Sequence, residues 1–364
     1  MKGIATVAII GIAVVAIVII AAGAYFFLFS GSGTGGGGGG GGQGSTTTVN
    51  STVPVSNYIY CVGTVDTSEK NQVYYAPIYQ NGQLGSWAAT TPYPTQLSFA
   101  GCSIYNNYIY CIGTFKQGAP FNITYYAPIS SSGIGTWQST TPYIINMYRA
   151  GCSSYNGYLY CVGSQTGAMS ETYYAPVSSS GIGNWTSGRD YPEMGHSVGC
   201  MIYNSTIYCV GVGNYPFNHV YYSQVSSTGF GPWIQTTSYP VAMIDAGCSV
   251  SAGFVYCVGT GGTAGQNQTY YAPISSSGIG TWTSTTPYPV PFSKDGCVLN
   301  NNYLYCIGSS NAADAQLVYS APVTSSGIGT WAKAPSYPVQ IGAAYCAVPG
   351  YTGGFYSGGS QLPA

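Results

Sequence analysis

The sequence predicts an all-β fold in which six copies of one antiparallel unit close into a ring, preceded by an N-terminal membrane-spanning helix. Three observations support this prediction: two cysteine series and one tryptophan series step by 48 to 50 residues, turn dipeptides separate paired cysteines, and half a unit stands at each end of the repeat. A fixed period of this length is typical of a repeated supersecondary unit. The tryptophans are Trp87, Trp137, Trp185, Trp233, Trp282 and Trp331.

Five of the six units contain a hairpin that two cysteines join. In five units one cysteine follows another by nine positions, and the midpoint of the pair falls on a turn signal such as Asn156-Gly157. Such dipeptides favour tight hairpins, in which both central residues take positive φ. Counting outward from the turn makes the cysteines a directly opposed, non-hydrogen-bonded pair, whose separation is compatible with a disulfide. The predicted pairs are Cys102 with Cys111, Cys152 with Cys161, Cys200 with Cys209, Cys248 with Cys257, and Cys297 with Cys306.

The two remaining cysteines predict how the ring closes. Cys61 lies in a second-strand sequence without a first strand, and Cys346 lies in a first-strand sequence without a second. If a C-terminal strand near residues 343–349 completes the first unit, the two cysteines meet. Closure also removes the exposed sheet edges that an open array would leave.

The rest of each unit adds two strands. A Tyr-Tyr-Ala-Pro strand, a Ser-Ser-Ser-Gly-Ile-Gly turn, a short tryptophan strand and a Thr-Thr-Pro-Tyr-Pro connector follow the hairpin, without helical periodicity. One hairpin face carries cysteine and aliphatic residues, and the other carries tyrosine. A sheet covered on both faces by its neighbours has this pattern, so we expect four-stranded blades packed face to face.

The motifs resemble a known family. One unit contains Arg149-Ala150-Gly151, the run Asn156-Gly157-Tyr158-Leu159-Tyr160-Cys161-Val162-Gly163, then Tyr173-Tyr174 and Trp185. This unit looks like a kelch repeat. The resemblance covers about residues 53 to 350 and recurs in all six units. It implies a six-bladed β-propeller of four-stranded antiparallel blades, closed by a C-terminal strand.

The resemblance also raises an enzymatic alternative, a copper oxidase of the galactose oxidase type, because such enzymes use Tyr and His ligands. The chain has two histidines, His196 and His219, and no motif matches around them. No Ser-His-Asp or paired-carboxylate pattern stands out either, and cysteines two to four residues apart, typical of zinc sites, are lacking. We therefore expect a non-catalytic protein without a metal or cofactor.

The N-terminal segment predicts a membrane anchor. Residues 3–29 carry no charge and are long enough to span a bilayer. Lys2 favours a cytoplasmic N-terminus, which puts the rest outside the cell. The expected organisation is therefore a signal-anchor helix over 1–29, a flexible Gly/Ser/Thr linker over 30–50 and the propeller over 51–364. Two alternatives stay open: a cleaved signal peptide ending near Ala22-Gly23-Ala24, and a pilin-like leader.

Composition limits the partners. Only 4% of residues are charged and the net charge is -1, which gives no basic face for nucleic acid. An even number of regularly spaced cysteines behind an apolar N-terminus indicates an oxidising compartment. Five Asn-X-Ser/Thr sequons are compatible with N-glycosylation of an extracellular domain. They are Asn50, Asn122, Asn184, Asn204 and Asn267.

The remaining prediction is a binding role at the cell surface. The connectors that enter the first strands hold most of the rare charges, which makes that rim a candidate site for a polar ligand. Its residues are Arg149, Arg189, Asp190, Glu193, His196, Asp245, Lys294 and Asp295. We expect a membrane-anchored adhesion or binding module for a protein or carbohydrate, with exposed tyrosine rings as a second means of contact. A structural coat or filament subunit is the alternative, alongside the oxidase.

Overall fold

The structure is that of a six-bladed propeller. The computed structural model describes residues 53–63, 71–97, 100–116, 119–147, 150–163, 170–193, 199–212, 218–243, 247–259, 267–292, 296–309, 312–340 and 345–350. They belong to one compact unit, Val49–Ala364, and form six antiparallel sheets. We number these sheets as blades 1 to 6 along the chain. The expected anchor (1–29) and linker (30–50) lie outside the described residues, among which no helix has the length and hydrophobicity to cross a membrane.

In blades 2 to 6 the first two strands form the predicted hairpin, and both central residues of its turn take positive φ, as at Asn106 and Asn107. The inner strands of blades 2 to 6, followed by that of blade 1, are Gly101–Tyr105, Gly151–Tyr155, Gly199–Tyr203, Gly247–Ser251, Cys297–Asn300 and Tyr345–Ala347. The second strands of blades 1 to 6 are Val55–Val62, Tyr108–Lys116, Tyr158–Val162, Thr206–Val212, Phe254–Val258 and Tyr303–Ile307.

The third strand of each blade pairs with the second. The third strands of blades 1 to 6 are Val73–Tyr79, Ala119–Ser130, Thr172–Ser178, His219–Ser226, Thr269–Ser275 and Val318–Thr324. A short 3-10 helix, Ala312–Asp314, precedes the last of them.

The fourth strand is divided in blades 2 to 6 into two short segments, and both pair with the third strand. The segments nearer the third-strand turn are Gly133–Ile134, Gly181–Ile182, Gly229–Phe230, Gly278–Ile279 and Gly327–Ile328. The outer segments of blades 1 to 6 are Ala88–Ala89, Gln138–Ser139, Thr186–Ser187, Ile234–Thr236, Thr283–Ser284 and Ala332–Lys333.

The ring closes as the half units predict. The inner strand of blade 1, Tyr345–Ala347, pairs with Val55–Val62 in a register that places Cys346 opposite Cys61, and the two form a disulfide. The inner strand of blade 1 contacts those of blades 2 and 6. The first and the last of the described strands therefore share one blade.

All five predicted hairpin disulfides also form, with the predicted partners. Their Cα atoms lie 4.0 to 4.2 Å apart, because each pair is directly opposed in the register of its hairpin. Cys111 bonds to Cys102 in blade 2, Cys161 to Cys152 in blade 3, Cys209 to Cys200 in blade 4, Cys257 to Cys248 in blade 5, and Cys306 to Cys297 in blade 6.

Six apolar clusters fill the boundaries between blades. At the boundary between blades 1 and 2, the disulfide between Cys102 and Cys111 packs with Ile109 against Tyr60 and Tyr93 of the preceding blade. Each of the other five clusters likewise unites the cysteine face of one blade with the tyrosine face of its predecessor. The predicted division of the two faces is confirmed, and burial of both faces explains how a chain with so few charges forms a stable core.

Two sets of hydrogen bonds link neighbouring blades. In the first, a second-strand tyrosine donates to a carbonyl at the end of the next blade's third strand, as Tyr110 Oη does to Ser178 O at 2.8 Å. We call these bonds tyrosine staples. The other donors are Tyr60, Tyr160, Tyr256 and Tyr305; the acceptor of Tyr305 is Gly82 O, in the turn that follows blade 1's third strand.

In the second set, the connector between blades holds the first segment of the next fourth strand. Ile134 N donates to Thr90 Oγ1 at 2.7 Å, and Thr91 Oγ1 donates to Ile134 O at 2.6 Å. We call this pair a threonine clamp. Equivalent clamps act on Ile182, Ile279 and Ile328.

Candidate ligand-binding sites

The antiparallel blades give the ring two ends. Connectors enter the inner strands at one end, which we call the connector end. The hairpin turns and the turns after the third strands lie at the other, the turn end. Because the connectors carry most of the charged candidates, the sequence predicts the site at the connector end.

Five of the eight candidates, Arg149, His196, Asp245, Lys294 and Asp295, lie outside the described residues. The other three follow the outer segment of blade 3. Arg189 and Asp190 have exposed side chains. The backbone of Arg189 is structural, because its carbonyl accepts hydrogen bonds from Thr172 Oγ1 and Trp233 Nε1, both at 3.0 Å.

Glu193 joins two blades. Its Oε1 lies 2.8 Å from Nδ1 of His219 and accepts a hydrogen bond from Tyr221 Oη at 2.7 Å, and both partners belong to the third strand of blade 4. Burial first, and then the bond to Glu193, raises the pKa of Tyr221 to about 12. Oε2 of Glu193 is buried without a hydrogen-bond partner among the described residues. The geometry makes Glu193 a polar link between blades 3 and 4.

The described residues contain no group of three or more His, Cys, Asp or Glu side chains that could hold a metal ion. His219, one of the two histidines that an oxidase of the galactose oxidase type would use, instead contacts Glu193. The other, His196, lies outside the described residues, so the enzymatic alternative is not tested by this geometry.

The sequons differ in exposure. Asn184 and Asn204 are exposed, Asn122 and Asn267 are half-buried, and Asn50 lies outside the described residues. Nδ2 of Asn122 donates to the carbonyl of the connector residue 143 at 2.9 Å, which ties the third strand of blade 2 to its own connector. Asn204 is the first central residue of a hairpin turn at the turn end.

A central cavity of about 420 Å³ opens at the turn end. Its walls come from the hairpins of blades 2 and 3 and from the end of blade 1's inner strand. They are Ile104, Tyr105, Asn106, Asn107, Ser154, Tyr155, Asn156, Pro349 and Gly350. All of these residues are uncharged, and they combine two tyrosine rings with three amide side chains.

Hydrogen bonds below and beside the cavity fix its shape. Ser103 Oγ donates to Ser154 Oγ at 2.9 Å, and Ser154 Oγ donates to the carbonyl of residue 104 at 2.8 Å, so the inner strands of blades 2 and 3 are joined directly beneath it. On the opposite side, Asn57 Nδ2 donates to Pro349 O at 2.9 Å and to Asn300 Oδ1 at 3.0 Å. These bonds position the cavity walls in advance of any ligand.

The lining decides which ligands the central cavity can accept. Amide groups offer both donors and acceptors, and tyrosine adds a hydroxyl and an apolar ring face. The lining residues carry no fixed charge to compensate a phosphate, carboxylate or ammonium group, whose desolvation would oppose binding. The cavity therefore suits a neutral ligand with many hydroxyl groups and some apolar surface.

A second cavity of about 250 Å³ lies at the turn end between blades 4 and 5. Tyr203, Asn204, Thr206, Tyr208, Gln224, Ile274, Ser275 and Ser276 line it. These residues are also uncharged.

Sequence reasoning missed the turn end. It treats Asn106-Asn107 and Asn156-Gly157 as turn formers only, and rare charges draw attention to the other rim. One signal was available: a tyrosine precedes the turn at Tyr105, Tyr155 and Tyr203. The hairpin does not need an aromatic residue at this position in order to form.

No protein-family model matches the chain, and a search of the curated proteins finds no significant match. The six-bladed architecture therefore stands on the structure itself.

Proposed function

We propose that this protein is a membrane-anchored, kelch-like propeller that displays a carbohydrate-binding domain outside the cell. The observation that carries the proposal is the central cavity at the turn end, which is preformed, lined by tyrosine and asparagine, and free of charged side chains. Neutral sugars offer hydroxyl groups for amides and apolar ring faces for aromatic side chains. The cavity volume lies in the range of about 300–1,000 Å³ typical of small-molecule sites.

The extracellular location rests on two features. All twelve cysteines pair in six disulfides, which form and persist in oxidising compartments. Residues 3–29 are uncharged and follow a single lysine at the N-terminus. This combination supports an anchor with the propeller outside.

The ligand class is tested on a glycan array with the purified full-length chain in detergent, followed by calorimetry on each hit. We expect binding to neutral glycans and none that depends on sialic or uronic acids. Tyr105→Ala, which removes a ring from the central cavity, should weaken binding about tenfold or more, or about 1.4 kcal/mol. Asn156→Gly, which keeps the turn, should also weaken binding.

The matched control is Tyr303→Ala, because Tyr303 is half-buried against a boundary cluster as Tyr105 is but does not line the central cavity. It should bind as the wild type does. Absence of binding to every neutral glycan, or equal affinity for wild type and Tyr105→Ala, would exclude the central cavity as a sugar site.

The location is tested by adding protease to intact cells and by N-terminal sequencing. We expect the propeller to be accessible to protease and Met1 to be retained on a membrane-integrated chain. Cleavage after Ala24 would instead indicate a secreted protein, and cleavage after Gly3 would favour the pilin-like alternative.

A further inference from the structure

Among the described residues, the boundary between blades 4 and 5 lacks the tyrosine staple of the other five boundaries. At this boundary Tyr208 lines the 250 Å³ cavity together with Ser275 of the next blade. Ser275 is the residue whose carbonyl a staple would use, by analogy with Ser226 at the preceding boundary. The tyrosines that donate at the other boundaries are Tyr60, Tyr110, Tyr160, Tyr256 and Tyr305.

The cavity has a specific origin in blade 4. In the other five blades an aromatic residue of the second strand lies opposite a proline of the third, as Tyr158 lies opposite Pro176. In blade 4 the pair is Thr206 and Gln224. An aromatic ring and a proline ring are both replaced by polar side chains at one place. The equivalent pairs in the remaining blades are Tyr58 with Pro77, Tyr108 with Pro128, Phe254 with Pro273, and Tyr303 with Pro322.

Where the aromatic ring is missing, Tyr208 lines the cavity, although its side chain stays almost fully buried. In blade 3, Tyr158 lies 6.3 Å from Tyr174 and 6.4 Å from Tyr160, measured between ring centroids, which makes a cluster of three rings. In blade 4 the pair Tyr208 and Tyr222 remains, with centroids 5.9 Å apart. The space that the third ring fills elsewhere is open here.

The polar residues around this space are organised. Gln224 Nε2 donates to Thr206 Oγ1 at 2.8 Å, and the Ser205 hydroxyl, which donates to Asn204 O at 2.5 Å, lies 3.3 Å from Gln224 Oε1. The exposed amide of Gln224 is thereby oriented beside the mouth of the cavity. Burial raises the pKa of Tyr208, while its hydrogen bond with Thr206 acts in the opposite direction. Tyr208 therefore stays neutral at physiological pH and keeps its hydroxyl proton.

From these observations we infer that the cavity between blades 4 and 5 is a second ligand site, which binds a single neutral sugar ring. Its volume is below the range of about 300–1,000 Å³ that holds drug-sized ligands, so it fits one ring rather than an extended chain. The inference rests on the proposed function for the class of ligand, but the site itself is independent of the central cavity.

The test uses saturation-transfer NMR on the full-length chain, produced in a host without N-glycosylation. The probes are the methyl glycosides of glucose, mannose and galactose. Such a host is needed because Thr206 belongs to the sequon of Asn204, which a change at Thr206 would alter. Four proteins are compared: the wild type, Tyr105→Ala in the central cavity, Thr206→Tyr with Gln224→Pro in the second, and the combination of all three changes.

The pair Thr206→Tyr and Gln224→Pro restores the residues of the other blades and should fill the cavity without opening the fold. We expect the Tyr105→Ala protein, and likewise the protein with Thr206→Tyr and Gln224→Pro, to retain part of the signal of at least one glycoside. The triple variant should lose at least about tenfold in affinity. Gln224→Leu, a change at an exposed position that leaves the sequon intact, should weaken the second site in the same way, whereas Thr206→Ser should not.

The outcomes separate the two sites. If Tyr105→Ala alone abolishes the signal, the second site is wrong and the proposed function stands. If Thr206→Tyr with Gln224→Pro alone abolishes it, the second site is supported and the central one is wrong. If the wild type gives no signal with any glycoside, both are wrong.

Discussion

The boundary between blades 3 and 4 and the boundary between blades 4 and 5 both depart from the repeat, but in opposite ways. At the first, Gly188 stands where four other connectors carry the first threonine of the clamp, and Phe230 stands where four other blades carry isoleucine. A Cβ atom at Gly188 would lie 2.5 Å from Cδ2 of Phe230. The Phe230 ring occupies the space that the absence of a side chain at Gly188 leaves open, and it stacks on Trp233.

The second departure is not refilled. Thr206 and Gln224 replace an aromatic ring and a proline, and the space remains as a cavity among the described residues. Protein interiors and interfaces normally pack to high density, so loss of volume at one position is usually compensated at another. The substitutions between blades 3 and 4 therefore preserve packing. Those between blades 4 and 5 leave a space that a ligand can fill.

Alkaline pH should disrupt both boundaries at once and give the largest effect. Burial raises the pKa of Tyr191 at the first and of Tyr239 at the second well above 10, and that of Tyr256 at the following boundary to about 12. Because the pKa of an unfolded tyrosine is about 10, the folded state holds more protons above that pH. Stability is complete below pH 10 and is lost as the pH rises through 12. Absorbance from the buried tyrosinates and circular dichroism should change together in this window. Ionisation of all 37 tyrosines near pH 10 in an intact fold would contradict the burial.

The next largest effect should come from blade 1, where a disulfide closes the ring that holds both boundaries together. Cys61→Ala with Cys346→Ala removes a link across 285 residues, whereas Cys152→Ala with Cys161→Ala removes one across nine. The chain-entropy relation gives a loss of about 5 to 6 kcal/mol for the first pair and about 3 kcal/mol for the second. Urea unfolding measures both. Equal losses would mean that the ring-closing link acts no differently from a hairpin link.

Gly188→Thr should cost about 1 to 3 kcal/mol, because the added side chain overlaps Phe230. Phe230→Ile in the same protein should recover most of that loss and restore the first bond of a clamp, of the kind that Ile182 N donates to Thr140 Oγ1. Thr172 Oγ1 lies equally near the added Cβ, but blade 2 holds threonine at both equivalent positions, Thr124 and Thr140. Thermal unfolding of the two single variants and the double variant provides the measurement. If the double variant is no more stable than Gly188→Thr alone, the two positions do not compensate each other.

Gln224→Pro should have the smallest effect on stability and the opposite sign. Five of the six third strands carry proline at this position. The backbone is therefore compatible with proline, which should raise stability by about 0.4 to 1 kcal/mol through the unfolded state. A loss of stability in urea unfolding would instead show that Gln224 is needed to hold the boundary, and the contrast between the two boundaries would weaken.

Most of the architecture could be predicted from the sequence because it is local and repeated. The turn at Asn156-Gly157 fixes the hairpin register, the register pairs Cys152 with Cys161, and the period then repeats the result. The same count gives Cys209, Cys257 and Cys306 their partners in the later blades. Ring closure followed from two half units at opposite ends of the chain. Each of these steps needs only neighbours in sequence or symmetry between units.

The candidate sites could not be predicted in the same way. The sequence shows that Thr206 and Gly188 both depart from the repeat, but it does not show which vacated space another side chain fills. That depends on packing between residues in different blades, as Gly188 meets Phe230. Charge was also a poor guide, because both described cavities are lined by neutral residues. Among the charged candidates, Glu193 forms a link between blades 3 and 4. A ligand site at the connector end stays a prediction.

The shared sheet of blade 1 sets the order of events during synthesis. Cys61 leaves the ribosome early, but its partner is translated 285 residues later. Five hairpins can oxidise on their own while the first blade still waits for its inner strand. The Cys61 thiol must therefore stay free until Cys346 has been translated, and an earlier oxidation can join it to a cysteine of blade 2 instead. Synthesis of the inner strand of blade 1, rather than the folding of any single blade, is the step that allows the ring to shut.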